Sequence, residues 1–134
     1  MLPNRLDTDY HLEGQPVHAW VGSILQGFAN LLTLEANWDG ENGKPIAPAL
    51  VSSALKFVDR ILMVDLRLPA PSIVPISDGG LQIEWHRGGK DFEIEFSPDR
   101  SIRYYYYDSS TGGEQEGLVT HDLSTVQQLL QHLL

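Results

Sequence analysis

Two segments in the first half of the chain have the apolar spacing of amphipathic helices. In the first, which begins at Pro16, apolar residues recur every three or four positions for about five turns, as they do along the buried stripe of a helix. The second covers about residues 47–66 with the same periodicity, and Pro69 and Pro71 end it. The sequence therefore predicts two N-terminal helices.

The segment between these helices, residues 37–48, has the composition of a loop. It contains Asp-Gly, Asn-Gly and two prolines, which cannot continue a helix. Trp38 is a large apolar residue in this polar setting, so we expect it to insert into the core and hold the loop in place. For Asp39 we expect turn and capping chemistry, because the residue spacing of a calcium loop is absent.

Residues 73–107 alternate between apolar and polar side chains, as half-buried antiparallel strands do. Asp78-Gly79 and Gly88-Gly89 are typical of two-residue hairpin turns of type I′, in which both central residues need a positive φ. Residues 98–100 fit a three-residue loop, because only an odd loop length keeps the apolar residues on one face. The sequence therefore predicts a β-meander in this region.

The turns set a register for the predicted sheet. The first turn pairs Val74 with Ile83, and the second pairs Ile83 with Ile94, so that both hairpins put their apolar residues on the same face. Trp85 belongs to this buried face. Pro75 cannot donate to a strand ladder, and the first strand is therefore expected at an edge of the sheet.

The rest of the chain predicts a loop, a short strand and a helix. Residues 108–117 are expected to be a flexible loop, residues 118–120 a fifth short strand, and an apolar stripe begins a helix at about Ser124. We predict one α+β domain over residues 1–134, with residues 1–15 as a flexible or extended arm. It has two N-terminal helices, an antiparallel meander of four to five strands, and a C-terminal helix packed on one sheet face.

Composition narrows the classes of function. The chain has 134 residues, no cysteine and a net charge of −9, which fits one domain. The lack of cysteine excludes disulfides and favours a reducing, cytoplasmic location. Neither the pattern of a signal peptide nor the run of about 18 apolar residues that a membrane helix needs is present. The negative charge disfavours binding to nucleic acid.

The predicted register gathers charged and aromatic side chains on the sheet face that points away from the core. Carboxylates oppose one another there across neighbouring strands, which is unfavourable by a few tenths to about 1 kcal/mol for each pair. Tyrosines beside acidic residues favour the docking of a basic protein partner. The candidate partner-binding residues are Glu84, His86, Glu93, Glu95, Arg103, Tyr105 and Tyr107.

Two other interpretations of this face stay open. It can be a solvated surface, on which Arg103 forms a local network with carboxylates. It can also be a metal or acid–base site, because carboxylates and an imidazole are suitable ligands for manganese, iron or zinc. The residues of this alternative site are Glu84, His86, Asp91 and Glu93. No motif of a catalytic nucleophile or of a phosphate loop is present, so no catalytic residue and no cofactor are predicted.

Two separate pieces of the chain form a recognisable combination: Asn37–Gly40, followed by Pro45 and Pro48, and the run Pro71–Phe96. Together they resemble a widespread family of short, uncharacterised bacterial proteins. In that family an N-W-D motif between helices precedes a P-x-x-x-D-G-G-x-x-x-E-W hairpin and an L-E-I-E strand. The resemblance implies a bacterial or phage origin, and small acidic proteins of this kind often act as antitoxins, immunity proteins or inhibitors.

The sequence thus predicts a non-catalytic protein-interaction module, antitoxin-, immunity- or inhibitor-like, that binds another bacterial protein with a basic surface. The alternative is a small metal-dependent enzyme or metal-binding module that uses the carboxylate and histidine side chains of the sheet. A homodimer through an unpaired sheet edge also stays open. The residues with an expected structural role are Trp38, Asp39, Gly79, Trp85, Gly88 and Gly89.

Overall fold

The computed structural model describes residues 21–62 and 67–134. In these residues the chain forms three α-helices and one five-stranded antiparallel sheet, so the α+β class is confirmed. The helices are α1 (Val21–Leu31), α2 (Pro48–Leu62) and α3 (Ser124–Gln131). The strands are β1 (Ser72–Pro75), β2 (Leu81–Arg87), β3 (Lys90–Phe96), β4 (Ile102–Asp108) and β5 (Gly113–Leu118). The predicted arm, the helix start at Pro16 and residues 63–66 lie outside the described residues. No helix in the described ranges has the length and apolar character needed to cross a membrane.

The sheet is a meander in which each strand pairs with its neighbours in sequence, in the order β1-β2-β3-β4-β5. Ile83 lies opposite Ile94, and Ile94 opposite Tyr104, so the predicted register of β2, β3 and β4 is confirmed. The β2–β3 turn has φ of 61° at Gly88 and 78° at Gly89. A type I′ turn needs positive φ at both positions, and glycine adopts it without a steric penalty.

Strand β1 is paired one residue away from its predicted register. The structure places Ile73, rather than Val74, opposite Ile83, and Val74 opposite Gln82. Because side chains alternate along a strand, this shift turns Ile73 towards the core and Val74 to the other face. Helix α1 meets β1 at this point, since a Cβ added to Gly27 would lie 3.2 Å from the Ile73 side chain.

The cause of the shift is the turn between β1 and β2. Ile76 N–H donates to the Gly80 carbonyl at 2.9 Å, and Gly79 N–H donates to the Ile76 carbonyl at 2.9 Å. These bonds close a three-residue loop with Gly79 at φ 95°, the position of the glycine in a G1 bulge. The predicted two-residue turn at Asp78-Gly79 is therefore wrong, and Ser77 is the additional loop residue.

The fifth strand occurs earlier in the chain than predicted. β5 spans Gly113–Leu118, so the expected loop at residues 108–117 shrinks to the connection between β4 and β5, and the expected strand at residues 118–120 is wrong. Glycine and glutamate are depleted in strands, so residue propensities do not predict β5. The Tyr104 ring on β4 stabilises the pairing of β5 by covering Gly117. A Cβ added to Gly117 would lie 3.2 Å from ring atoms.

One hydrophobic cluster joins the helices to the inner face of the sheet, which we call the core face. Trp85 and Phe92 are fully buried there, with ring centroids 5.9 Å apart. The indole N–H of Trp85 donates to the Pro69 carbonyl at 2.8 Å, so its polar atom is satisfied. Tyr106 on β4 contacts His132, with ring centroids 5.6 Å apart. The buried residues of α3, which belong to the same cluster, are Val126, Leu129 and Leu130.

Trp38 does not insert into this core, contrary to the prediction. Its side chain is half-buried, and the indole N–H donates to the Lys44 carbonyl at 2.8 Å. The ring covers Gly43, where an added Cβ would lie 2.8 Å from Trp38 Cε2. Trp38 therefore holds its loop together from the outside.

Asp39 connects this loop to the turn between β1 and β2. Its Oδ1 accepts from the backbone N–H of Glu41 at 2.9 Å and of Gly43 at 2.7 Å, and its Oδ2 accepts from the Ser77 hydroxyl. The bond from Ser77, followed by that from Glu41, lowers the pKa of Asp39. Lys44 N–H also donates to the Ser77 carbonyl at 2.9 Å. The loop between α1 and α2 and the turn between β1 and β2 are thus in direct contact.

Candidate functional site

The side of the sheet opposite the core face, which we call the far face, collects side chains from all five strands. Its middle row is Ser72, Glu84, Glu93, Tyr105 and Glu116. The row nearer the β2–β3 turn is His86, Asp91, Tyr107 and Glu114. The third row is Val74, Gln82, Glu95, Arg103 and Leu118. All the predicted partner-binding residues therefore share one surface.

Strand β5 adds functional candidates that the sequence reasoning missed. Glu114 and Glu116 lie beside the two far-face tyrosines, and Leu118 lies beside Arg103. The signal that could have found them is the alternation Glu-Gln-Glu between Gly113 and Gly117, directly after a turn. From β2 to β5, every far-face side chain is half-buried or exposed, and none is buried.

His86 sits between two carboxylates at one end of the far face. Its Nδ1 lies 2.6 Å from Asp91 Oδ1, and its Nε2 lies 3.0 Å from Glu84 Oε1. A protonated imidazole can donate to both at once, and so the hydrogen bond with Asp91, followed by that with Glu84, raises the pKa of His86. Half of the side chain is exposed, at 52%, so these ion pairs are screened by solvent.

Glu93 occupies the centre of the middle row. Partial burial, followed by the negative charge of Glu84 on the neighbouring strand, raises the pKa of Glu93. Both causes penalise the ionised carboxylate. Glu93 is therefore held in a position where its charge costs free energy, because in the described part of the chain no cationic side chain forms an ion pair with it.

Arg103 does not form the carboxylate network considered from the sequence. It lies opposite Glu95 in the register, yet among residues 21–62 and 67–134 it makes no ion pair with a carboxylate within 4.0 Å. The far face carries six carboxylates against this one arginine and His86. Since His86 is paired with Glu84 and Asp91, the other four carboxylates have no cationic partner in the described residues.

Tyr105 lies among these unpaired carboxylates. It stands between Glu93 on one neighbouring strand and Glu116 on the other, and its hydroxyl donates to Glu114 Oε1 at 3.3 Å. Partial burial, followed by the charge of Glu114, raises the pKa of Tyr105. Tyr107 lies next to it on the same strand. Together the two rings form an aromatic surface edged by negative charge.

The alternative metal site is not supported by the geometry. In the described ranges no group of three or more histidine, aspartate or glutamate side chains is placed to hold a metal ion. The physical reason is the arrangement around His86, whose two ring nitrogens both face carboxylate oxygens. An imidazole that donates to Glu84 and Asp91 has no nitrogen lone pair left for a metal. The set Glu84, His86, Asp91 and Glu93 is instead an ion-pair cluster beside an unpaired glutamate.

Known proteins do not assign a role to this surface. Comparison of the chain with protein-family models, with curated proteins and with solved structures gives no match. The geometry and the charge of the far face are therefore the basis for assigning a function.

Proposed function

We propose that this chain is a non-catalytic interaction protein that binds another protein through the far face, in the manner of an antitoxin, an immunity protein or an inhibitor. The observation that carries the proposal is the uncompensated charge of that face. Four carboxylates that lack a cationic partner among the described residues surround two tyrosines. The four carboxylates are those of Glu93, Glu95, Glu114 and Glu116.

The arrangement of like charges supports binding over simple solvation. Glu84 lies directly opposite Glu93, and such pairs destabilise an antiparallel sheet. A surface that only faces water gains solubility from charges in any arrangement, so repulsion at its centre brings no benefit. A partner that places cations between these carboxylates removes the repulsion when it binds, and the relief adds to its affinity.

The side chains on the far face indicate the chemistry of the partner. Tyr105 and Tyr107 offer large contact area at a small cost in conformational entropy. A lysine or arginine over the Tyr105 ring would meet the ring face and, on either side, Glu93 and Glu116. The partner in this proposal is therefore a protein with a basic surface, and the negative field of the far face would accelerate its association.

The proposal includes the setting that the sequence indicates. The helices, with α3 among them, pack on the core face and leave the far face to the partner. A cytoplasmic location follows from the cysteine-free composition, and a bacterial or phage origin follows from the family resemblance. The chain needs no cofactor in this role, because binding alone blocks or stabilises the partner.

Affinity capture with matched variants tests this proposal. The full chain, its Glu93→Lys and Tyr105→Ala variants, and the control Glu35→Lys would be used as baits in a lysate of the source organism. Glu35 is exposed in the α1–α2 connection, so its substitution changes the net charge equally but leaves the far face intact. We expect Glu93→Lys and Tyr105→Ala to weaken capture of the partner at least about tenfold, and Glu35→Lys to retain it.

The salt dependence of partner affinity and an assay for catalytic activity give results that could contradict the proposal. Affinity for the captured protein should fall when salt rises from about 50 mM to about 300 mM, because exposed charges are screened. Equal capture by wild type and Glu93→Lys would show that binding uses another surface. Turnover of a substrate by the purified chain, with no stoichiometric partner, would overturn the non-catalytic role.

A further inference from the structure

Strand β5 leaves backbone hydrogen-bonding groups open along one edge of the sheet. The strand order ends at β5, and no residue of the described ranges pairs with its outer side. Val119 N–H donates to the Ile102 carbonyl at 2.8 Å, which fixes the alternation of the ladder between β4 and β5. The residues whose N–H and C=O groups therefore point away from β4 are Glu114, Glu116 and Leu118.

The opposite edge of the sheet offers much less. On β1 the same alternation directs the backbone groups of Ile73 and Pro75 outwards. Proline has no N–H, so Ile73 supplies the single outward donor of that strand. Helix α1 also approaches β1 at Gly27, next to Ile73. Of the two edges, β5 is the one with a regular row of donors and acceptors on which another strand can pair.

We propose that the basic partner adds an extended segment to β5 as a sixth, antiparallel strand, and that this segment carries lysine or arginine at alternate positions. The proposal rests on the proposed function and names how its partner binds. Residues whose backbone points outwards from β5 have their side chains on the far face. The partner residues opposite Glu114 and Glu116 would thus lie about 4.5–5.5 Å away on that same face. A cationic side chain at each of these positions would pair with the carboxylate opposite.

The third outward residue refines the pattern that the segment should have. Leu118 is 58% exposed and lies on the far face beside Arg103. An apolar partner residue opposite Leu118 would bury its side chain, whereas a cation there would meet Arg103. A segment that runs antiparallel to β5 meets Leu118 first, so the preferred segment has an apolar position followed, at the same spacing, by two cationic ones. Such strand addition gives affinity through the backbone and specificity through alternate side chains.

A second copy of this chain fits the same edge poorly. In the two registers that overlap most, antiparallel pairing of two β5 strands would bring Glu114 opposite Glu116, or Glu116 opposite its own equivalent, on the far face. Like charges directly opposite each other destabilise a sheet, and charged side chains on an edge strand oppose self-association. Charge complementarity therefore favours a basic partner segment over a homodimer.

Three synthetic peptides test the proposal with the full chain. The first is a capped peptide that begins with leucine, which is to lie opposite Leu118, and in which threonine then alternates with lysine or arginine. In a second, the backbone nitrogens of the cationic residues are methylated, which removes the donors that face β5. In a third, the threonine nitrogens are methylated, whose N–H groups point away from β5. Charge is identical in all three peptides.

We expect the first and third peptides to bind equally and the second to bind at least about tenfold more weakly. Amide hydrogen exchange by NMR should show new protection at Glu114, Glu116 and Leu118 when the first peptide binds, and none at Ile73. The Glu93→Lys variant should weaken all the peptides that bind, because it reverses a charge on the far face without changing the edge.

Other results would overturn strand addition. Equal binding of the second and third peptides, with no new protection on β5, would mean that cations bind the far face without pairing to the edge; the proposed function would then survive. Failure of the first peptide to bind, while a captured partner is sensitive to Glu93→Lys, would also reject the edge and keep the face. Protection of the three amides in the free protein would show that the edge is already paired, by a second copy if the protection depends on protein concentration and by the chain itself if it does not.

Discussion

The core face and the far face are made by alternate residues of the same strands, but they contribute to stability with opposite sign. On β3, Phe92 and Ile94 are fully buried among apolar side chains. Glu93, which lies between them, faces another carboxylate across the sheet. Hydrophobic burial on one face stabilises the fold by several kcal/mol for each aromatic residue, while each opposed pair of carboxylates costs about 1 kcal/mol or less. The core face can therefore support a far face that is unfavourable in the free protein.

The largest expected effect is the difference between Phe92→Ala and Glu93→Ala. Phe92 has no exposed surface and contacts Trp85 and Tyr106, so its truncation should lower the free energy of unfolding by about 3–5 kcal/mol. Glu93→Ala should change it by less than about 1 kcal/mol, because the lost stem contacts are offset by relief of repulsion. Denaturation with urea at pH 7 measures both, and comparable losses would mean that the far face is also a packed surface.

Tyr105 and Tyr106 of β4 allow the same comparison between the two faces with a single residue type. Tyr106 is 7% exposed and its ring packs against Phe92 and His132. Its replacement by alanine should lower the free energy of unfolding by about 3 kcal/mol. Tyr105→Ala should leave the urea midpoint close to that of the wild type and weaken partner capture instead. A Tyr105→Ala variant that unfolds as readily as Tyr106→Ala would contradict the division between the two faces.

The part of the sheet that could be predicted from the sequence is the part where turn residues and apolar alternation agree. Between Ile83 and Tyr104 the apolar residues fall at every second position, and Gly88-Gly89 suits the two-residue type I′ turn, which needs a positive φ at both positions. On β1 the alternation fails, because Ile73, Val74 and Ile76 put apolar residues on both faces. The predicted register of β1 therefore depended on the turn alone. Asp-Gly is compatible with loops of two or three residues, so it did not fix that register.

The turn at residues 98–100 shows what distinguishes the two loop lengths. It has the same hydrogen bonds as the β1–β2 turn, with Arg100 N–H donating to the Ser97 carbonyl at 2.9 Å and Arg100 at φ 77°. In both turns the aspartate at the second loop position accepts from a backbone N–H two residues further on. That Asx contact is the common signature, and local sequence did not reveal it for Asp78 because the following glycine suited the shorter turn equally well.

The predicted register placed much of the candidate site correctly. The other residues were missed or misplaced for identifiable physical reasons. The charged and aromatic residues of β2, β3 and β4 were placed on one face by alternation alone. Glu114 and Glu116 were missed, because a strand rich in glycine and glutamate is stabilised by cross-strand contacts such as that of Tyr104 with Gly117, and no local pattern reports them. Trp38 was misplaced because its sequence neighbours do not show how far its loop lies from the core.

A smaller effect is expected from removing one charge at the centre of the far face. The pKa of folded Glu93 is raised above its ordinary value of 4.5, so the ionised carboxylate destabilises the fold at pH values above both the unfolded and the folded pKa. Glu93→Gln should therefore increase the free energy of unfolding at pH 7 by a few tenths to about 1 kcal/mol. The gain should disappear below about pH 4 as the wild-type carboxyl becomes protonated. Glu35→Gln, off the sheet, serves as the control, and a gain that is independent of pH would contradict the electrostatic cause.

The smallest effect concerns His86, the cation that the far face itself supplies. Its folded pKa is raised above the ordinary 6.5 by Asp91 and then Glu84, so its stabilising contribution is complete below pH 6.5 and is lost as pH rises through the folded pKa. Exposure of the side chain makes this contribution small.

Over the same range, loss of the imidazolium charge leaves Asp91 and Glu84 unneutralised, so we expect the far face to attract the proposed basic partner more strongly. Between about pH 6 and pH 8, stability should therefore fall while partner affinity rises. His86→Gln, compared with wild type by urea denaturation and by titration with the captured partner, should flatten both trends, whatever the other histidines contribute. A flattening of the stability trend alone would show that the ion pairs of His86 act on the fold and not on the partner, and parallel changes of stability and affinity in wild type would contradict the opposition between the two faces.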